Sequence, residues 1–204
     1  MGFYGRCIFP PLLHAAMRMK ALRPYRVRIV GAAEGRVLEI GIGSGLNLPL
    51  YGAKVSSVLG LEPSPELLSM AQRTSAAAHV PITLTQATAE ALPLDGKCID
   101  TVVTTWTLCT IPDAERALRE VRRVLRPGGS LLFVEHGRAP ERGVARWQDR
   151  LNPLWRRLAG GCNLNRKIDA LIAGAGFRFE TFQNSRLPGP RTHTFLYEGR
   201  ARPY

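Results

Sequence analysis

The residues with the clearest chemical content are Glu39 and the glycines that follow it. The apolar run Val37-Leu38-Glu39-Ile40 leads into Gly41-Ile42-Gly43-Ser44-Gly45-Leu46-Asn47, which reads as a strand, a glycine-rich turn and then a helix. Glycines admit positive φ and let a ligand approach the main chain, whose N–H groups then contact it directly. The carboxylate two residues before Gly41 sets the kind of ligand. A pyrophosphate would meet Glu39 as a like charge, whereas the ammonium and sulfonium of S-adenosylmethionine would meet an opposite charge, and that attraction grows in a dehydrated cleft. The alternative is a tight turn with no ligand.

A second carboxylate, Glu62, ends the run Val58-Leu59-Gly60-Leu61 and precedes Pro63. It falls about twenty residues beyond the first glycine, where a doubly wound fold presents an acid to ribose hydroxyls. This spacing supports an adenosine ligand without separating a nicotinamide cofactor from S-adenosylmethionine. Without a ligand, Glu62 would be an ordinary cap beside Pro63 and Ser64.

The elements that must hold these residues alternate β and α, which predicts a doubly wound, Rossmann-like α/β fold: a mostly parallel sheet with helices on both faces. Strands are expected at 36–40, 58–61, 82–85, 101–105 and 130–135, each short and apolar. Helices are expected at 64–75, capped by Ser64, and at 113–125, capped by Asp113. In the second, Ala117, Leu118, Val121, Val124 and Leu125 repeat at helical spacing. A polar stretch at 137–143 and a helical segment at 144–158, broken at Pro153, interrupt the alternation. A helix at 167–173 then leads to strands at 177–182 and 192–197, expected as an antiparallel pair at the C-terminal sheet edge. Residues 1–33 stand apart as a basic amphipathic helical segment, with Arg6, Arg18, Lys20, Arg23, Arg26 and Arg28 before the first acid, Glu34. This segment would be a lid, an anchor to an anionic membrane surface, or a helix packed on the domain at 34–204.

On Glu39 to Gly45, Glu62, Ala87-Thr88-Ala89-Glu90-Ala91-Leu92-Pro93-Leu94 and Leu125-Arg126-Pro127-Gly128-Gly129, the chain resembles the class I S-adenosylmethionine-dependent methyltransferases of type 11. The likeness implies that Glu39, Asn47 and the backbone of Gly41, Gly43 and Gly45 hold the methionine part of the cofactor. Glu62 and Pro63 would serve the ribose, and Thr88, Ala89 and Glu90 the adenine edge, with Thr105 and Thr107 also against the cofactor. Where many relatives have an aspartate for the adenine amino group, this chain has Thr88 and Ala89, so a backbone contact must replace it.

A narrower likeness, to the methyltransferase-like thiol S-methyltransferases and their bacterial relatives, rests on Trp106-Thr107-Leu108-Cys109-Thr110-Ile111, Glu135-His136 and Gly160-Gly161-Cys162-Asn163-Leu164-Asn165-Arg166. It implies a small or lipophilic methyl acceptor, a thiol first, with methylation of a quinone precursor or a phospholipid amine as the alternative. A non-catalytic membrane-binding module is a further one. In-line methyl transfer asks mainly for positioning, desolvation and a deprotonated nucleophile. Arg150 and Arg166 are candidates to favour a thiolate, and His136 either takes a proton or only lines the cleft. Trp106 and Trp147 shape an acceptor pocket or belong to the core. Asp149, Asn163 and Asn165 orient the acceptor or serve turns in the insertion at about 137–166. The animal members carry a longer hydrophobic N-terminal anchor that this chain lacks, which implies weaker, peripheral membrane contact.

Bulk properties set the frame. With 204 residues and 45% hydrophobic composition, one core is within reach. The four cysteines, Cys7, Cys98, Cys109 and Cys162, form no Cys-x-x-Cys pair and stand near no histidine cluster. Neither a disulfide framework nor a metal is therefore implied, and a reducing cytoplasm fits, with peripheral contact at the inner membrane surface. The net charge of +12 comes mainly from arginines scattered among helices rather than grouped with aromatic residues, a poor pattern for nucleic acid.

Overall fold

The computed structural model of the protein describes residues 3–204. Its frame is a seven-stranded sheet of β1 (Gly35–Ile40), β2 (Val55–Leu61), β3 (Ile82–Thr85), β4 (Ile99–Thr105), β5 (Leu125–His136), β6 (Phe177–Arg186) and β7 (Phe195–Pro203), in the order β3-β2-β1-β4-β5-β7-β6. The first five strands are parallel, and β7 runs antiparallel to both β5 and β6. The antiparallel strand therefore lies one position in from the edge, and β6 forms the rim.

Alternation along the strands builds a core on each face. Leu38, Ile40, Val102, Leu131 and Phe133 join one buried cluster, while Val37, Val58, Val103, Leu132 and Val134 join the other. The first cluster is closed by α4 (Ala114–Val124), which buries Ala117, Leu118, Val121 and Val124 along one stripe, and by Ile168 and Ile172 of α6 (Ile168–Gly174). Each buried aliphatic residue there is worth about 1.5–3 kcal/mol. Asp113 caps α4 by accepting from the Arg116 N–H at 2.9 Å, and Ser64 caps α3 (Pro65–Ser75) by accepting from Leu67 N–H at 3.3 Å.

The N-terminal segment forms α1 (Phe9–Met17) and α2 (Arg23–Gly31). Helix α2 buries Arg26, Ile29 and Val30, the last two within the second core cluster, so it packs as part of the same hydrophobic body as the sheet.

Three expectations are corrected. After Gly45 the chain makes only a 3₁₀ turn at Leu48–Leu50 instead of an α-helix, because Pro49 removes a donor and buried Leu48 and Tyr51 turn the chain inward toward β2. Pro153 does not break its helix: α5 (Arg142–Leu158) runs through it, since a single proline forfeits one main-chain bond while the others persist. The last two strands extend beyond the expected 177–182 and 192–197, and the second begins at Phe195. Their polar outer residues hide pairing that runs from Phe177↔Pro203 to Arg186↔Phe195.

Candidate functional site

The chain leaves β1 toward β2 and β3 and returns to the other side of β1 at β4, so the crevice beyond the C-terminal ends of β1 and β4 is the switch point where such sheets bind ligands. Glu39, Asn47, Thr105, Thr107 and Glu135 converge there. The Asn47 amide donates to Glu39 Oε1 at 2.7 Å and to Thr105 Oγ1 at 3.0 Å, and Tyr51 O–H donates to Glu39 Oε2 at 2.7 Å. Glu39 is 1% exposed, so its carboxylate is committed to Asn47 and Tyr51 and acts on the crevice from behind the loop. Burial pushes its pKa up to about 7, against the pull of Tyr51, Asn47 and Arg26.

Arg26 completes this group from α2. Its Nη1 donates to Asn47 Oδ1 at 2.8 Å, its guanidinium lies 4.9 Å from the Trp106 ring centroid, and its Nε is buried with no hydrogen-bond partner. Burial lowers its pKa to about 10 while Glu39 raises it, so it stays charged at neutral pH. The buried Arg26 guanidinium thus stands across Asn47 from the buried Glu39 carboxyl, and the Glu62 and Glu135 carboxyls are buried as well. Trp106 itself has φ +53°, a strained conformation for a non-glycine residue that turns the chain sharply at the end of β4.

The glycine loop is built for close approach. Gly41, Gly43 and Gly45 all have positive φ. A side chain at Gly41 would overlap Thr107, while the space in front of Gly43 is open. Gly43 N–H and Ser64 N–H donate to the two oxygens of Glu62 at 3.0 Å each, which ties the loop to β2 and leaves carboxylate lone pairs for further donors. Burial raises the Glu62 pKa, opposed by those two N–H groups. The loop runs into the 3₁₀ turn Leu48–Leu50 and not into an α-helix, so it lacks the dipole of the helix that follows the glycine turn in pyrophosphate-binding folds. Pro63 and Thr88 are exposed, Ala89 is buried in the core, and Glu90 accepts from Asp113 N–H at 3.5 Å. Of the residues that the resemblance assigns to the adenine edge, only Glu90 thus has a side-chain hydrogen bond among the described residues.

At the other end, residues 137–166 close over the tips of β4 and β5. His136 Nε2 lies 2.8 Å from Cys162 Sγ, which is 3.8 Å from Cys109 Sγ. Hydrogen bonding with Cys109, together with burial, holds the Cys162 thiol well above the usual thiol range, so it is neutral. Asn163 and Arg166 grip the Cys109 loop: Asn163 Nδ2 donates to the Cys109 carbonyl at 2.9 Å, and Arg166 Nη1 to those of Ile111, at 2.7 Å, and Leu108. Asp149 pairs with Arg138 at 2.6 Å and accepts from Asn165 at 2.8 Å. Trp147, 56% exposed, and Arg150 stack on each other on the outer side of α5, apart from the His136 group.

The comparisons with known proteins agree with this geometry. A model of the methyltransferase domain matches residues 38–133. The human thiol S-methyltransferase TMT1B is 33% identical over 92% of this chain and 78% of its own length. The chain belongs to the S-adenosylmethionine-dependent methyltransferases. It is also 36% identical to a phosphatidylethanolamine N-methyltransferase of Cereibacter sphaeroides, over 60% of this chain and 64% of that one. A solved S-adenosylmethionine-dependent methyltransferase from Thermotoga maritima shares the fold, with a TM-score of 0.67 at 24% identity over 98% of this chain and 99% of that one. S-adenosylmethionine is therefore the cofactor, and the open Gly43 cradle, the Glu62 carboxylate and the Arg26–Glu39 pair fit it.

The sequence reading missed Arg26, Tyr51 and Glu135. Only Glu135 carried a local signal, an acid closing an otherwise apolar strand. Its Oε1 accepts from Thr107 N–H at 3.0 Å, and burial pushes its pKa up to about 7.

Proposed function

We propose that this methyltransferase acts on a small or lipophilic thiol. The observation that carries the reading is the likeness to a thiol S-methyltransferase along nearly the whole chain, including the Cys109, His136 and Cys162 segments at the acceptor end. When bound, S-adenosylmethionine supplies a methyl group on an electron-poor sulfur. The protein's part is to bind, orient and exclude water. The Arg26 guanidinium suits the cofactor's carboxylate and Glu39 its ammonium, Glu62 accepts from the ribose hydroxyls, and the open space in front of Gly43 leaves room for the methionine chain. A thiol with a pKa near 8.5 is already a few per cent thiolate at neutral pH, so positioning beside the cofactor does most of the work.

The N-terminal segment supports a lid reading. His14 Nδ1 lies 2.7 Å from Ser44 Oγ in the glycine loop, Arg26 enters the cofactor pocket, and Tyr4 O–H donates to the Leu158 carbonyl at 2.8 Å beyond the acceptor insertion. This strap spans both ends of the crevice. No helix among the described residues is long and apolar enough to cross a membrane. The exposed Phe3, Ile8 and Leu12 nonetheless offer an apolar edge beside basic residues, and the phosphatidylethanolamine N-methyltransferase likeness favours a phospholipid amine as the second reading.

The test is release of S-adenosylhomocysteine with small thiols, quinone precursors and phosphatidylethanolamine vesicles compared side by side. Turnover confined to thiols is expected. Turnover only with vesicles or quinone precursors would overturn the thiol reading.

A further inference from the structure

The mechanism above gives Cys109 and Cys162 no task, since direct methyl transfer needs no protein nucleophile. Yet the fold brings them together with His136 from the loop after β4, the turn after α5 and the end of β5, with the cysteines 53 positions apart in the chain and His136 and Cys162 26 apart. We propose that Cys109, His136 and Cys162 form a binding site for a borderline-soft divalent cation, Zn²⁺, at the acceptor end of the crevice.

The distances suit it. The three ligand atoms lie within 4.8 Å of one another, and the two sulfurs are 3.8 Å apart. A tetrahedral ion with bonds of about 2.3 Å to sulfur needs its two sulfurs about 3.8 Å apart, so the thiols already have the required spacing. His136 Nε2, at 2.8 Å from Cys162 Sγ, must draw back by less than about 1 Å to reach the nitrogen–sulfur edge of such a site. The donor set, two thiolates and an imidazole, is the one that selects zinc over hard cations. His136 Nδ1 is buried without a partner, so the ring's hydrogen bond is made toward the thiols.

The frame is rigid before any ion arrives. Asn163 holds the Cys109 carbonyl through both its backbone N–H and its side chain, each at 2.9 Å, and Arg166 holds Ile111 at 2.7 Å. The loop that carries Cys109 is thereby fixed to the segment that carries Cys162, and the Arg138 N–H, donating to the Arg166 carbonyl at 2.9 Å, ties the same segment to the chain just after His136, which is what a preorganised ligand set requires.

Binding is balanced by proton loss. Each of the two thiols gives one proton to solvent as its sulfur bonds the ion, and the neutral imidazole donates its Nε2 lone pair, so one Zn²⁺ releases two protons and leaves a neutral unit. Three protein ligands leave a fourth position. Resting on the thiol reading, that position takes the acceptor sulfur, whose proton is lost on coordination and whose thiolate is thereby held at the end of the crevice.

The experiment is titration of the reduced full-length protein with Co²⁺ as the optical probe, followed by Zn²⁺ displacement. The expected result is one Co²⁺ per chain with sulfur-to-metal charge-transfer bands in the near ultraviolet. Cys162→Ser should weaken Co²⁺ binding at least a hundredfold while S-adenosylhomocysteine affinity, measured by calorimetry, stays within about threefold. If that variant does not fold, the wild type decides: one equivalent of Zn²⁺ must protect two thiols from alkylation, mapped to Cys109 and Cys162. No saturable binding, bands that persist in Cys162→Ser, or protection confined to Cys7 and Cys98 would overturn the site. Adding a small thiol to the cobalt protein should shift the bands; an unchanged spectrum would overturn the fourth-ligand role. Bands intact with no turnover of any thiol would instead overturn the thiol reading and leave the metal site standing.

Discussion

Replacing Glu39 with glutamine probes the cofactor pocket at its buried charge. The carboxylate accepts from Asn47 and Tyr51 at 2.7 Å each and sits across Asn47 from the Arg26 guanidinium. Glutamine keeps the shape and one acceptor oxygen, so the loop should retain its course. What disappears is the negative charge facing the cofactor's ammonium, a charge-assisted interaction of about 1.5–3 kcal/mol. S-adenosylmethionine affinity should therefore fall by about 10- to 100-fold in calorimetry. Because burial sets the Glu39 pKa at about 7, wild-type affinity should rise as pH increases from about 6 toward 8, until the ligand's own amino group begins to titrate near 8, whereas the Glu39→Gln profile should be flat on the acid side. Stability of the ligand-free protein should move the opposite way. A folded pKa raised above the unfolded value contributes stability that is full below about 4.5 and is lost as pH rises through about 7. This loss is roughly 3 kcal/mol at 1.36 kcal/mol per pH unit and is absent from the variant. Glu39→Gln should thus gain stability relative to wild type between pH 5 and pH 8 while binding cofactor more weakly. Unchanged affinity in a folded variant, or a wild-type affinity indifferent to pH, would refute the role given to this charge.

Three other perturbations follow from the same geometry. Gly41→Ala forces a side chain into the left-handed region at φ +68°, costing about 1–2 kcal/mol in the backbone alone, and against Thr107, which must shift; a melting-temperature drop of several degrees should accompany loss of cofactor binding, and a variant as stable as wild type would contradict the reading of this turn. Arg26→Lys keeps the charge but loses the planar fork and the stack on Trp106, so affinity for S-adenosylmethionine should fall about tenfold, and full retention would show that only charge matters there. Leu12, 57% exposed on α1, should contribute to binding of anionic vesicles at low salt; Leu12→Glu should reduce co-sedimentation, and wild-type protein that never sediments with vesicles would remove the membrane-contact proposal.

The parallel strands were legible because their two-sided burial writes continuous apolar runs, and α4 because its buried stripe repeats at helical spacing. The acid-glycine loop and Glu62 were legible because a tight glycine turn and a carboxylate at the end of the next strand leave residue types at fixed distances along the chain. Arg26 was not, since nothing local distinguishes it from Arg23 or Arg28; only tertiary packing buries one beside Asn47 and turns another to Glu198 at 2.9 Å. The same holds for the other end of the crevice, where Cys109, His136 and Cys162 meet only after β4, β5 and the insertion have folded together. Arg150 and Trp147 mark the converse case: their composition suggests a pocket, but their register on α5 turns them outward while Gln148, next to Trp147, is buried and bridges the Gly137 and Thr192 carbonyls at 3.0 Å each. The basic bias also takes on a meaning that composition alone could not give. Arg28, Arg138, Arg186 and Arg202 hold Glu198, Asp149, Glu141 and Glu180, and Arg166 ties down the Cys109 loop. Arginine's planar fork suits such bridging, so much of the positive charge serves to fasten the insertion, the final strands and the N-terminal strap around one crevice.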